Sequence, residues 1–274
     1  MRRAAALLAG AAAVALARAA WWEPRRLDVP EHELRLPSWP RRLDGLRVAL
    51  VSDLHTGAPG AGLDRTGEVV ARVRAARPDL IALLGDFVDP TVVGARPVAP
   101  ADVAARLAGL SAPVGVVAVL GNHDWSHTGH GMAQALRDAG VTLLENEALR
   151  LEARGGPLWI AGTADATTRD PRVGQALAGV PAGDPVIVLS HDPDVFRYVP
   201  KRVALTLSGH THGGQVDVPG LRERVIPSRF GTRYKAGHVV EHDRHLFVSR
   251  GIGTSQLPVR LGAPPEIPVL TLRS

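Results

Sequence analysis

The chain of 274 residues contains no cysteine. That single absence excludes disulfide scaffolds, thiolate zinc sites, iron–sulfur clusters and cysteine nucleophiles, while leaving the redox compartment open. Aromatic residues make up only 4% of the sequence, and its two lysines are Lys201 and Lys235. Binding to single-stranded nucleic acid relies on a sustained basic groove with stacking aromatics, so nucleic acid is not an expected partner. No uncharged run reaches the roughly 20 apolar residues that a spanning helix needs. What is present is ordinary for a globular chain: 45% hydrophobic and 22% charged residues exclude disorder, collagen and coiled coil. The length suits one large core with additions. The formal charge of +5 is carried almost entirely by arginine. This suits phosphate-bearing partners, although an arginine-biased coding sequence yields the same excess.

The amino terminus stands apart. Met1-Arg2-Arg3 precedes an uncharged alanine-rich run from Ala4 to Ala17, followed by Arg18, Trp21-Trp22 and Glu23-Pro24-Arg25-Arg26. Two readings remain open for residues 1–22. One is a signal peptide with Ala17-Arg18-Ala19 as the small-x-small cleavage site. The other is an uncleaved membrane anchor with Trp21 and Trp22 at the interface. Both imply an exported or membrane-associated protein, on an unspecified side of the membrane. Residues 23–45, punctuated by proline from Pro30 to Pro40, read as a linker, and the folded domain is expected over 46–274.

From Leu46 the chain alternates short apolar runs with helical stretches. Strands are expected at 46–51, 80–84, 114–120, 149–151, 158–160, 186–189 and 203–207. Helices are expected at 64–76, where Val69, Val70 and Val73 share one face, and at 101–110 and 132–139. This alternation predicts an α/β sheet covered by helices.

The residues at the strand exits carry the chemistry. The runs end in Ser52-Asp53-Leu54-His55, Gly85-Asp86, Gly121-Asn122-His123-Asp124, Ser190-His191 and Ser208-Gly209-His210-Thr211-His212. Open α/β sheets bind ligands outside the carboxyl ends of their strands. A single aspartate there is usually a turn or helix cap. Five successive exits each delivering an oxygen or imidazole are not explained that way. In extended chain, residues two apart point the same way, so Asp53 and His55, and His210 and His212, are expected to converge in pairs. The donors are all nitrogen or oxygen, which suits manganese, iron, zinc or cobalt.

These residues carry a resemblance. Asp53-x-His55, Gly85-Asp86, Gly121-Asn122-His123-Asp124, His191 and Gly209-His210-Thr211-His212 resemble, in order, the five blocks of the calcineurin-like metallophosphoesterases. Gly213-Gly214-Gln215, Val248-Ser249-Arg250-Gly251-Ile252-Gly253 and Pro265-Glu266-Ile267 are similar to the membrane-associated bacterial phosphodiesterases of that superfamily. Some of these cleave UDP-2,3-diacylglucosamine in lipid A biosynthesis. The resemblance implies a four-layer α/β/β/α sandwich of two packed mixed sheets flanked by helices. It also implies two divalent ions, foremost Mn2+, with Zn2+, Fe or Co2+ as alternatives. Asp53, His55, Asp86 and His212 would hold one, and Asp86, Asn122, His191 and His210 the other, with Asp86 bridging. His123 would be the general acid and Asp124 a neighbour that tunes it.

Two cations so placed bind phosphoryl oxygens and bring the pKa of a held water down towards about 7, supplying hydroxide at neutral pH. Imidazole is suited to protonating the leaving group. The expected activity is therefore hydrolysis of a phosphodiester or pyrophosphate bond in a phosphorylated small molecule or lipid-linked substrate at a membrane surface, by a monomer. A nuclease or nucleotide phosphodiesterase with the same centre, and a non-catalytic metal-dependent scaffold, are the alternatives. Arg250 and Arg260 are candidates for clamping a substrate phosphate. His127 and His130 read as a polar loop, and His238, His242 and His245 as surface residues of a hairpin.

Overall fold

The computed structural model describes residues 3, 10, 13–217 and 226–274. Most of the alanine-rich run, with Arg2, lies outside the described residues; 13–17 are helical and continue into a turn over Arg18–Trp22.

The strands are β1 (Glu31–Arg35), β2 (Arg47–Val51), β3 (Leu80–Leu83), β4 (Gly115–Ala118), β5 (Thr142–Leu143), β6 (Glu147–Ala153), β7 (Gly156–Gly162), β8 (Val186–Leu189), β9 (Leu205–Ser208), β10 (Gly237–Glu241), β11 (Arg244–Val248) and β12 (Val269–Arg273). The α-helices are α1 (Leu63–Ala76), α2 (Pro100–Leu107), α3 (Asn122–His127), α4 (His130–Asp138) and α5 (Val173–Ala176). They form two mixed sheets of six strands each, ordered β1-β12-β2-β3-β4-β5 and β10-β11-β9-β8-β7-β6. In the first, β2 to β5 run parallel and β12 lies antiparallel to β2; in the second, β7, β8, β9 and β11 run parallel between antiparallel edges.

Alternation along the strands builds the layers. Val48 and Leu50 of β2, Leu80 and Ala82 of β3, Ile187 and Leu189 of β8 and Leu205 and Leu207 of β9 pack into one cluster between the sheets. The opposite residues, Ala49, Val51, Ile81 and Leu83, pack against Val69 and Val73 of α1, Val103 and Leu107 of α2 and Met132 and Leu136 of α4. On the outer face of the second sheet, Val186 and Val188 meet Val173, Ala176, Val195 and Phe196. Because both faces of each sheet are covered, the central strands read as continuous apolar runs. The expected α/β/β/α sandwich is the observed fold.

The segment expected to be a linker is instead part of the sheet. Residues 31–35 pair in parallel with β12 from Glu31↔Val269 to Arg35↔Arg273, and Leu34, Leu36, Trp39 and Leu43 join the inter-sheet cluster. Its prolines mislead because proline is compatible with the approach to an edge strand. The strand runs at 149–151 and 158–160 are longer than expected and form one hairpin, β6–β7. His127 and His130 lie on helices, not in a loop, and His245 is buried although the hairpin at 237–248 was expected.

Candidate metal centre

The loops after β2, β3, β4, β8 and β9 meet at the carboxyl ends of both sheets and bring all seven expected ligands together. His55 Nε2 lies 3.0 Å from His212 Nε2 and 3.5 Å from Asp86 Oδ2, and His212 Nε2 lies 3.5 Å from Asp53 Oδ1. On the other side of Asp86, its Oδ2 is 3.2 Å from His191 Nε2, which is 3.1 Å from His210 Nδ1 and 3.2 Å from Asn122 Oδ1. Asp86 therefore stands between two clusters of facing ring nitrogens and oxygens. Such a set, with Asp53, His55, Asp86, His191 and His212 buried, is costly unless protons or cations join it. It fits two divalent ions bound by nitrogen and oxygen donors.

The pairs do not converge by strand alternation, as expected from spacing. Asp53, His55, Asp86, His210 and His212 all have positive φ, from 43° to 68°. Left-handed backbone at non-glycine residues costs on the order of 1–3 kcal/mol each and persists only where surroundings over-determine it. Here they do. Asp53 N–H donates to Gly85 O, His55 N–H to Asp86 O, His210 N–H to Asp53 Oδ1 and His123 N–H to Asp86 Oδ1. Close approach also demands glycine: a Cβ at Gly209 would overlap Ser52 Oγ and Asp53 Oδ2, and one at Gly121 would overlap the Asp86 carboxylate.

Ring orientation is set from behind. His191 Nδ1 lies 2.7 Å from Leu84 O, so Nδ1 donates to that carbonyl and Nε2 is the nitrogen that faces the centre. Burial, then the charge of His191, holds the pKa of His210 down; burial, then His55 and Arg260, holds that of His212 well below its usual value. Both rings are thus neutral, the ligating form. His191 differs: burial opposes its protonation, but the Asp86 carboxylate outweighs burial and raises its pKa well above the usual value. Burial likewise disfavours ionised Asp86, yet His191, His55 and His123 together hold its carboxyl well below the ordinary range.

His123, part-exposed beside this cluster, has its Nδ1 3.2 Å from Asp89 Oδ1. The other Asp89 oxygen is 3.2 Å from His55 Nδ1. Asp89 was not foreseen. Its signal was a carboxylate three positions after Asp86, directly following the apolar pair Phe87-Val88. Asp124, expected to tune His123, does something else: its carboxylate accepts from the N–H groups of Asp86, Phe87 and Gly121 at 2.8, 2.8 and 3.0 Å. As the third residue of α3 it reaches back over the helix start, and so clamps the Asp86 loop onto that of Asn122.

Neither expected arginine lines the cavity above the centre. Arg250 is paired with the buried Glu266 at 2.8 Å, and Arg260 is fully buried. The arginines that do line that cavity, among the described residues, are Arg197 and Arg229.

The family model for calcineurin-like phosphoesterases matches residues 46–214, which contain every one of these ligands. The chain belongs to the calcineurin-like phosphoesterases. It is a metal-dependent phosphoesterase, and its candidate His/Asp clusters lie within the matched residues. Similar proteins support the assignment. An uncharacterized metallophosphoesterase of Bacillus subtilis, YkuE, is 32% identical over 93% of this chain and 89% of its own. The phosphodiesterase YaeI of Escherichia coli is 32% identical over 91% of this chain and 90% of its own. A zebrafish transmembrane protein with a metallophosphoesterase domain is 28% identical over 91% of this chain and 57% of its own. Among solved structures, a putative 5'-nucleotidase from Staphylococcus aureus matches with a TM-score of 0.50 at 11% identity, over 83% of this chain and 54% of its own; it shares the fold.

Proposed function

We propose that this phosphoesterase hydrolyses a phosphodiester or pyrophosphate bond in an amphiphilic, lipid-linked substrate such as UDP-2,3-diacylglucosamine, at a membrane surface. The observation that carries this reading is the cavity. It measures about 1300 Å³ and is lined by Asp86, Asn122, His123, His210 and His212 together with Val195, Tyr198, Ile226, Phe230 and Leu257, and by further polar and charged residues. That exceeds the roughly 300–1,000 Å³ typical of small-molecule sites. It suits a substrate that joins a phosphate to a bulky apolar group.

Asp53, His55, Asp86 and His212 would hold one divalent ion and Asp86, Asn122, His191 and His210 the second, with Mn2+ the expected metal; bound there, the pair would supply positive charge for the phosphoryl oxygens and lower the pKa of water. His123 donates a proton to the departing oxygen, and Asp89 keeps it charged and oriented for that task. Burial works against protonation of His123, but contact with Asp89 and the charges of Asp86 and Asp89 raise its pKa above the usual value.

Membrane association is supported by Trp21 and Trp22, exposed at 64% and 47% and stacked under Arg25, Arg18 and Arg26. No helix among the described residues is long and apolar enough to cross a membrane. Retention of the segment, rather than cleavage, is supported by Ala19, which is buried and whose carbonyl accepts from Arg260 N–H.

The test is hydrolysis by the purified full chain with added Mn2+, comparing bis-p-nitrophenyl phosphate, UDP-2,3-diacylglucosamine in detergent and single-stranded DNA. Turnover of the lipid well above the other two is expected. DNA as the best substrate would replace this reading with a nuclease.

A further inference from the structure

His123 stands between two groups of donors. On one side are His55 and Asp86; on the other it joins Asp89 and His127, and one donor atom from each of these last three lies within 4.8 Å of the other two. His127 follows His123 by four positions on α3, so the two side chains share a helix face, with ring centroids 5.7 Å apart and planes inclined at 34°. Asp89 is fully buried, and its Oδ1 is fixed by Thr91 N–H at 2.8 Å. That oxygen is 3.2 Å from His123 Nδ1, and the other faces His55 Nδ1 at the same distance. Yet His123 Nδ1 is buried and meets no partner in hydrogen-bond geometry among the described residues. A buried polar atom of that kind costs about 1–3 kcal/mol unless water or an ion joins it. Close contact without hydrogen-bond geometry is what two ligands of one ion show: donors about 2.0–2.1 Å from a tetrahedral zinc are about 3.3 Å from each other.

We propose that Asp89, His123 and His127 form a third metal site, separate from the two-ion centre, that takes Zn2+ and shuts off turnover when filled. Two imidazoles and one carboxylate, with a fourth position left to water, are a zinc donor set, and histidines four apart on one helix face are a recurring way to present it. His127 is exposed, so its ring can swing to close the remaining gap while Asp89 and His123 stay in place. The effect on turnover rests on His123 being the proton donor, as read above. Ligation takes the ring in its neutral form, and the extra proton passes to solvent. The proton left on the other nitrogen is then that of a neutral imidazole, held too tightly to be given to a leaving oxygen.

The experiment dialyses the Mn2+-loaded full chain against rising Zn2+ for wild type, H127A and H127Q. Both metals are counted per chain by elemental analysis, hydrolysis of bis-p-nitrophenyl phosphate is followed in parallel, and circular dichroism establishes folding. Counting the sum of the two metals allows for Zn2+ replacing Mn2+ in the two-ion centre. We expect wild type at saturating Zn2+ to hold one ion more than either variant, and its turnover to fall as that ion binds. Without Zn2+ the variants should turn over as wild type does. The Zn2+ concentration that halves their activity should rise at least about 10-fold, since losing even a partner behind a ligand costs that much. Equal metal sums in wild type and both variants overturn the proposal, as does equal inhibition of all three. An extra ion that depends on His127 but leaves turnover unchanged overturns the inhibitory role, and the acid role of His123 with it. A wild-type chain that holds no Mn2+, yet one Zn2+ that depends on His127, overturns the two-ion centre and upholds the third site.

Discussion

Asp89 and His123 are joined at 3.2 Å through Oδ1 and Nδ1, while the second oxygen of the same carboxylate sits 3.2 Å from Nδ1 of His55. One buried aspartate thereby lies within ion-pair distance of both a donor of the candidate metal centre and the histidine proposed to donate a proton. Asp89→Asn removes the charge that raises the pKa of His123 against burial. The protonated form is then lost at lower pH, so the descending limb of the kcat–pH profile moves to lower pH. We expect kcat at pH 7 to fall by about 10- to 100-fold, with metal content retained by elemental analysis; an unmoved limb would show that Asp89 does not set this proton.

His123→Ala is expected to keep both ions and to lower kcat by about 10²- to 10⁴-fold, the span of general acid catalysis. Poor leaving groups should suffer most. A leaving-group series of aryl phosphodiesters reads this directly, and a uniform loss across the series would assign the proton to another donor.

Asp86→Asn has the opposite signature. Asp86 Oδ2 faces both clusters and its Oδ1 accepts from His123 N–H. Metal content per chain should drop, together with all measurable turnover, and full loading would contradict its bridging position.

Metal affinity should rise with pH. His191 is held protonated by Asp86 in the metal-free protein, whereas His210 and His212 are neutral. An ion must therefore displace the His191 proton, so affinity weakens as pH falls. Calorimetry in two buffers of different ionisation enthalpy will report proton release at pH 7; release of no proton would refute the assignment.

Leu50→Ala tests the layer on which the site rests. Leu50 is fully buried between the sheets, one strand position before the loop that carries Asp53 and His55. A loss of about 2–5 kcal/mol in unfolding free energy is expected, measured by urea denaturation of the metal-free chain.

The sequence by itself determined the layered α/β class and named the seven donors that the structure brings together. Both are encoded locally: apolar runs of strand length, and donors at the ends of those runs, as in Val48–Val51 leading to Asp53 and His55. Tertiary structure alone decided how those donors converge, because left-handed turns at Asp53, His55, Asp86, His210 and His212 are stabilised by hydrogen bonds from other loops. It also decided which polar residues stand behind them. Asp89, Asp124 and Arg260 look alike in sequence as single charged residues near a motif. Their partners, His123, three backbone amides and His212, are fixed only when segments up to 48 residues apart are packed together. The same holds for residues 31–35, whose place as an edge strand depends on β12 at the far end of the chain. A hydrogen-bond partner, unlike hydrophobic periodicity, is a property of two segments and is written in neither one.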